Sequence, residues 1–219
     1  AQSLGWQKVT RKQAEKRRGF SDESSIRGRA KGASLFFDEL LYKQVKKFNP
    51  KYKKSKQELI KGLSLLSPNI FGNQEFLQFL KGEKTFFLDA QNRELNLKLI
   101  DFENIENNVF EITEEYYFFN GKFANREDVV FLINGVPVLV IECKNVTKEE
   151  ALSIGIGQLR RYHKETPEMF VPQQVFSVTE GLGFSYGATW NLVKRNIFNW
   201  RGDEIGKLEN KIKTFFNKK

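Results

Sequence analysis

One cysteine, one histidine and one methionine in 219 residues narrow the chemistry from the start. A lone Cys cannot close an internal disulfide, and one Cys with one His cannot furnish the ligands of a structural zinc site. A nucleophilic Ser would need a His to serve it, and His163, followed by Lys164 and Glu165 near a helix end, reads as a surface residue. No apolar run approaches the roughly 18 residues that a membrane-spanning helix requires, and the first residues lack the apolar core of a signal peptide. With the single thiol, this reads as a soluble protein of the reducing cytoplasm. No G-x-x-x-x-G-K-[ST] string offers a phosphate-binding loop, and Gly155-Ile156-Gly157 lacks the third glycine of a dinucleotide fingerprint.

Phenylalanine and positive charge are what the chain has in abundance. Most of the 21 Phe fall at periodic positions and are read as core filler. Lys and Arg total 36 against 27 Asp and Glu, a formal charge of +9 that suits a polyanionic partner. The length allows one domain with a substantial core. Residues 1–32 are basic, and Gly19, Ser21, Ser24, Ser25, Gly28 and Gly32 argue against one long helix, so a flexible or loosely helical surface arm is expected. Apolar spacing predicts a helix over 34–48 with Ser34 as its N-cap, ended by Asn49-Pro50, then short helices over 55–66 and 74–81. Strands are expected over 110–119 and 174–179, a helix over 189–200, and a terminal amphipathic helix over 205–216.

The most informative stretch is 125–145. Two apolar runs, Val129–Ile133 and Val136–Ile141, flank Asn134-Gly135, a pair that accepts the positive φ angles of a tight hairpin turn. Neither run alternates, so both strands should be buried on both faces. Antiparallel pairing returns Asp128 to Glu142, and Glu142 and Lys144, two apart, share a face while Cys143 points away into the core. Two carboxylates and one ammonium then meet at the rim of a dry sheet. A buried ion pair at a strand end is the plain alternative, but it leaves net negative charge that a divalent cation would balance. A second Glu-x-Lys, Glu209-Asn210-Lys211, lies in a Lys-rich amphipathic segment and reads as solvated helix surface. Beyond the strand, Thr147-x-x-Glu150 resembles a capping box, and the helix it opens should run to about Lys164, with Gln158 and Tyr162 on one face. The order strand, strand, strand, helix, strand, helix gives an α/β domain with a mixed sheet and helices on both faces.

Asp, a hairpin, then Glu-x-Lys resembles the PD-(D/E)xK nuclease superfamily. The fuller string R-x-D-V-V-x-x-x-N-G-x-P-x-x-V-I-E-x-K is similar to the N-terminal nuclease domain of the R subunit of type I restriction enzymes. Further resemblance lies in Leu99–Asn104 with Asn107, Asn108 and Phe110, in the Q-x-x-x-Y of Gln158 and Tyr162, and in Tyr186–Thr189 with Phe198–Trp200. It covers roughly residues 95–200, and loosely Leu4-Gly5-Trp6. It implies a restriction-endonuclease-like fold and hydrolysis of double-stranded DNA, with Asp128, Glu142 and Lys144 as catalytic residues. Mg²⁺, or Mn²⁺ in its place, would be held by Asp128, Glu142 and the Cys143 backbone carbonyl, with Gln158 and Tyr162 contacting substrate or supporting the site. It also implies a basic, mainly helical part over 1–105, a catalytic core over 106–200 and a C-terminal helix over 201–219. The ATP-driven motor would lie outside this chain, so ATP would not bind here, and modification and specificity subunits would be met through the full R subunit. An acidic metal ligand that the family carries on a helix ending at Leu-Gly-Trp is expected to be missing from a sequence that starts three residues before Leu4. Two alternatives are an inactive DNA-binding or assembly module and a stand-alone resolvase-like nuclease.

Scattered Lys and Arg without an evident base-reading element give a first prediction. DNA binding should be weak, indifferent to sequence and steeply salt-dependent, with log K falling linearly in log salt. Titrations of two unrelated duplexes at several salt concentrations check it; a preferred sequence with a flat salt response would contradict it.

Overall fold

A computed structural model of the protein describes residues 4–84, 96–145, 151–181, 183–200 and 208–217. Among these residues one seven-stranded sheet runs in sequence order: β1 (Gln7–Lys8), β2 (Phe110–Phe119), β3 (Ala124–Ile133), β4 (Val136–Cys143), β5 (Val175–Thr179), β6 (Phe184–Ala188) and β7 (Phe198–Asn199). Strands β2, β3 and β4 form an antiparallel meander, and β1 lies parallel to β2. Helix α6 (Ala151–Glu165) then carries the chain across to β5, parallel to β4, before β6 and β7 return antiparallel. The remaining helices are α1 (Arg11–Arg17), α2 (Ile26–Ala30), α3 (Asp38–Phe48), α4 (Lys56–Ser64), α5 (Ile70–Lys81) and α7 (Leu208–Phe215). This is the α/β mixed sheet that the sequence implied. Among the described residues no helix is long and apolar enough to cross a membrane.

The unbroken apolar runs of β3 and β4 are explained by cover on both faces. Val130, Leu132 and Val140 join Phe176, Val178, Ala14, Phe37, Leu159 and Tyr162 in one core, beneath α1, α3 and α6. Their neighbours Phe131, Leu139 and Ile141 enter a second core with Trp6, Phe184 and Phe216, closed by Ile212 and Phe215 of α7. A third cluster packs α3, α4 and α5 around the hairpin end of the sheet, against Leu97, Leu99 and Val136. Eight fully buried Phe serve these cores, as their periodic spacing suggested.

Asn134 (φ 53°) and Gly135 (φ 83°) make the tight turn between β3 and β4. Asn134 is also a buried junction. Its Oδ1 accepts from the Val109 amide, and its Nδ2 donates to the Leu99 carbonyl and to Asn108 Oδ1, each at 2.8 Å. Pro137, unable to donate to a ladder, sits where the register shifts at a bulge between Phe131 and Leu132.

A second irregularity lies at the other end of the hairpin. The β2–β3 pairing runs through Glu114↔Val129 and resumes at Tyr116↔Glu127, passing over Glu115 and Asp128 with no change of register. Glu115 has φ 54°, a left-handed conformation costing an L residue about 1–2 kcal/mol. Its carboxylate is held by Arg11 and, at 2.8 Å, by Arg126. Exposed ion pairs of this kind contribute roughly 0.2–1 kcal/mol each, so they offset part of that cost. The kink shifts the phase of burial in both strands: Glu111 and Thr113 give way to Tyr116 and Phe118, and Asn125 and Glu127 to Val130 and Leu132.

Several expectations are corrected. The basic N-terminal segment is not a loose arm: α1 starts at a capping box of Thr10 and Gln13, and its acids and cations pair, Arg17 with Glu111 and Arg29 with Glu15. Arg18 is only 2% exposed, donating to the Ser34 and Tyr117 carbonyls with its guanidinium 3.8 Å from the Tyr116 ring centroid. Helix α3 begins at Asp38 rather than after Ser34. Phe36 and Phe37 are drawn into separate cores and the Phe37 amide donates to the Gly135 carbonyl, which holds the chain extended up to that point. Residues 189–200 are not a helix but a turn, a short 3₁₀ segment at Lys194–Asn196 and β7, whose pairing with β6 competes successfully with helix. His163 is packed against Phe170 and Trp190 at 4.1 and 4.7 Å between ring centroids, and burial lowers its pKa to about 4. Thr147 and Glu150, expected to cap α6, and residues 205–207 of the terminal helix lie outside the described residues.

Asn134→Ala should destabilise the protein by at least about 2 kcal/mol, because it removes the bonds to the Val109 amide, the Leu99 carbonyl and Asn108 Oδ1. Asn134→Gly, which suits the turn's φ but not the hydrogen bonds, should cost nearly as much. Urea unfolding of both variants tests this; full stability in Asn134→Gly would mean that only the turn conformation matters.

Candidate active site

The site is built where β3 begins and β4 ends. The ladder pair Val129↔Ile141 places Asp128 across from Glu142 one step further on. Lys144 follows β4, its amide bonded to the Thr179 carbonyl at 2.8 Å, so its base is tied to the end of β5. From there Lys144 Nζ reaches Glu142 Oε2 at 3.1 Å and Asp128 Oδ2 at 3.8 Å. The expected trio therefore converges. Glu142 is fully buried, Lys144 is 14% exposed at its side chain and Asp128 29%, which leaves Asp128 as the member open to solvent.

Helix α6 closes the cluster from one side. Gln158 uses both ends of its amide: Lys144 Nζ donates to its Oε1 at 2.8 Å, and its Nε2 donates to Glu142 Oε2 and to the Tyr162 hydroxyl, both at 2.6 Å. Tyr162 in turn donates to the Arg126 carbonyl at 3.0 Å, fixing the helix to β3. Gly155 sets the approach. A Cβ there would fall 2.4 Å from Val178 Cγ1 and 3.5 Å from Lys144 Cε, so glycine lets the helix lie close enough for Gln158 to bridge. Gln158 and Tyr162 are thus brought to the site as their spacing implied.

Cys143 differs from expectation. Its side chain is exposed, because the strand outruns its cover: Ile141 is the last residue of β4 in the second core. Its amide donates to Asp128 Oδ2 at 2.9 Å, an anchor that the sequence did not suggest. A further acid also escaped sequence reading. Glu127 is fully buried, with both carboxylate oxygens accepting from Gln173 Nε2 at 2.9 and 2.8 Å. Strict alternation would have turned it away from Asp128, and only adjacency in sequence hinted otherwise.

The electrostatics are dominated by crowding of anions in a dry place. Burial, reinforced by the Asp128 charge, pushes the Glu142 pKa up to about 8 against the pull of Lys144. Burial likewise raises Glu127 to about 8, with Glu142 and Asp128 adding to the rise and Gln173 and Arg18 opposing it. Glu142 Oε1 is buried and has no hydrogen-bond partner among the described residues. Two facing carboxylates, one with an idle oxygen, suit a hard divalent cation. Among the described residues no three His, Cys, Asp or Glu side chains are grouped to bind a metal by themselves, so such an ion would also need a backbone carbonyl and water.

These shifts have a sign. A carboxyl whose folded pKa lies above its ordinary value stabilises the fold below the ordinary value, and that contribution is lost as pH rises through the folded pKa. Between the ordinary 4.5 and about 8, the metal-free protein should lose stability from Glu142 and Glu127, titrating as a coupled pair. Glu142→Gln should flatten this decline and melt a few degrees higher than the parent at the alkaline end. Melting curves across that range decide it; a parent that gains stability with pH would contradict the burial-driven shift.

The comparisons with known proteins come down on the same side. A family model for the N terminus of the type I restriction enzyme R protein matches residues 1–192, reaching further toward the start than the motifs did. An endonuclease subunit inferred for the type I enzyme MjaIXP of Methanocaldococcus jannaschii is 30% identical over 141 residues, 62% of this chain and 13% of that protein. The HindI endonuclease subunit of Haemophilus influenzae is 28% identical over 188 residues, 83% of this chain and 17% of its own length. The EcoprrI endonuclease subunit of Escherichia coli is 30% identical over 143 residues, 60% of this chain and 45% of the relative. The chain therefore spans less than half the length of these relatives, and with a family match over 192 of its 219 residues it belongs to the type I restriction enzyme R proteins, at their N-terminal end.

Proposed function

We propose that this chain is the nuclease part of an R subunit and hydrolyses phosphodiester bonds of double-stranded DNA with the help of Mg²⁺. The observation that carries the reading is the meeting of Asp128, Glu142 and Lys144 at a strand end, two carboxyl groups to one ammonium, with Glu142 Oε1 left without a partner among the described residues. Asp128, Glu142 and the Cys143 carbonyl would hold Mg²⁺, or Mn²⁺ as a substitute. When bound, such an ion supplies a Lewis acid for the phosphoryl group and lowers the pKa of an attacking water. Lys144, steered by Gln158, offers its remaining N–H donor to that water or to the oxygens that gain charge in the transition state. Gln158 and Tyr162 act by holding Lys144 and Glu142 in register with each other. The wider setting belongs to the same proposal: DNA delivered by an ATP-driven motor elsewhere in the R subunit, with modification and specificity subunits engaged through it.

Three variants test the reading. Asp128→Ala should weaken Mn²⁺ binding by at least on the order of a hundredfold, since even supporting residues of metal sites account for 10- to 100-fold. Lys144→Ala should leave Mn²⁺ binding intact or slightly tighter, having removed a competing cation, while cleavage of duplex DNA is lost. Lys211→Ala should change neither, because its neighbour Glu209 is paired with Lys213 at 2.7 Å on α7. Calorimetry and a nicking assay on the R subunit provide the readouts. Undiminished Mn²⁺ binding in Asp128→Ala would move the metal elsewhere, and equal loss of activity in the two lysine variants would remove Lys144 from the chemistry.

A further inference from the structure

Glu115 is one of two non-glycine residues with positive φ among those described, and the other, Asn134, makes the hairpin turn. No turn explains Glu115. It lies within a ten-residue strand, opposite Asp128, at the one step where the β2–β3 ladder makes no pair. Strained backbone of this kind persists only where the surroundings enforce it, and it concentrates at functional sites. Here the surroundings are specific: Arg11 of α1 and Arg126 of β3 both grip the Glu115 carboxylate, and Arg126 is two residues from Asp128.

The effect of the kink is geometric. In a regular strand successive side chains take opposite faces, so Glu127 and Asp128 could not both serve one side. Instead Tyr116 lies in the core with Leu159 and Tyr162 of α6, and its partner Glu127 is fully buried, while Asp128 accepts from the Cys143 amide and approaches Lys144. Two consecutive acids thereby lie near Glu142, Asp128 across the ladder and Glu127 within reach of its charge. Because the two skipped residues oppose each other, the distortion is local and the downstream register that places Val129 on Ile141 is untouched.

We propose that the left-handed conformation of Glu115 is a positioning device for Asp128: the backbone of β2 at this residue, rather than its carboxylate, sets where the Asp128 side chain stands. Its bearing on catalysis rests on the reading of Asp128 as a metal ligand. The geometric claim does not, since the Cys143 amide reports on Asp128 without any metal.

The test separates backbone from carboxylate in the full chain. Glu115→Gly and Glu115→Asn remove the charge but accept positive φ, whereas Glu115→Val removes the same charge and resists it. Hydrogen exchange at the Cys143 amide and Mn²⁺ titration are the readouts, with protection of the Val140 and Ile141 amides as the check on folding. Glu115→Gly and Glu115→Asn should match the parent in both. Glu115→Val should lose protection at Cys143 and weaken Mn²⁺ on the order of tenfold, the scale on which supporting contacts act on metal sites. Should the Val variant not fold, Glu115→Ala against Glu115→Gly gives the same contrast with a milder barrier. Equal losses in all variants would assign the effect to the ion pairs, and a folded Glu115→Val or Glu115→Ala indistinguishable from Glu115→Gly would overturn the proposal. A parent that binds no Mn²⁺, yet shows the predicted pattern at the Cys143 amide, would sink the metal reading and leave the positioning role standing.

Discussion

The cost of taking negative charge out of water governs this structure. Glu127, Asp128 and Glu142 are gathered at one end of a sheet that is covered on both faces, and among the described residues Lys144 is the one cation bonded among them. Everything near the cluster answers to that imbalance. Gln158 and Gln173 spend their amide hydrogens on carboxylates, the Cys143 amide turns to Asp128, and Gly155 keeps α6 near enough for these bonds to form. The two buried glutamates answer by holding their protons toward neutral pH. A site built this way resists charging, so a divalent ion bound there would displace protons, its binding and their release being two sides of one equilibrium.

Much of this was legible in the sequence because the signals are local. Asn134-Gly135 dictates a turn by backbone sterics, and unbroken apolar runs on either side dictate strands covered twice. Once those two facts are in hand, the ladder step that sets Asp128 across from Glu142 follows from counting, and the shared face of Gln158 and Tyr162 follows from helical spacing. What was not legible depends on departures from period. Glu127 lies in the cluster only because both strands slip phase at Glu115, and no residue pattern announces a left-handed Glu. Cys143 was assigned to the core because a strand's end cannot be told from its middle without knowing where the covering elements stop. Residues 189–200 have a composition that helix and edge strand share, and the sheet's last pairing settles the matter.

The N-terminal basic segment shows the limit of composition most clearly. Clustered cations read as solvent-facing, yet here several are matched to acids presented by β2, with Glu111 and Glu115 receiving Arg17 and Arg11. Net charge therefore overstates what this segment can offer to a polyanion. The same pairing couples α1 to the strand that carries the kink, so the first helix is mechanically continuous with the candidate site although none of its residues enters it.

Arg18 has a consequence for the life of the protein before any reaction. An antiparallel meander leaves its first strand with one side unpaired, a template on which another chain could add. On β2, the Ile112 carbonyl is taken by the Val9 amide and the Tyr117 carbonyl by the Arg18 guanidinium, which sits over the Tyr116 ring. A two-residue strand and a single side chain thus cap the edge on either side of Glu115. Two of the acceptors that an added strand would use are therefore already occupied by the basic segment.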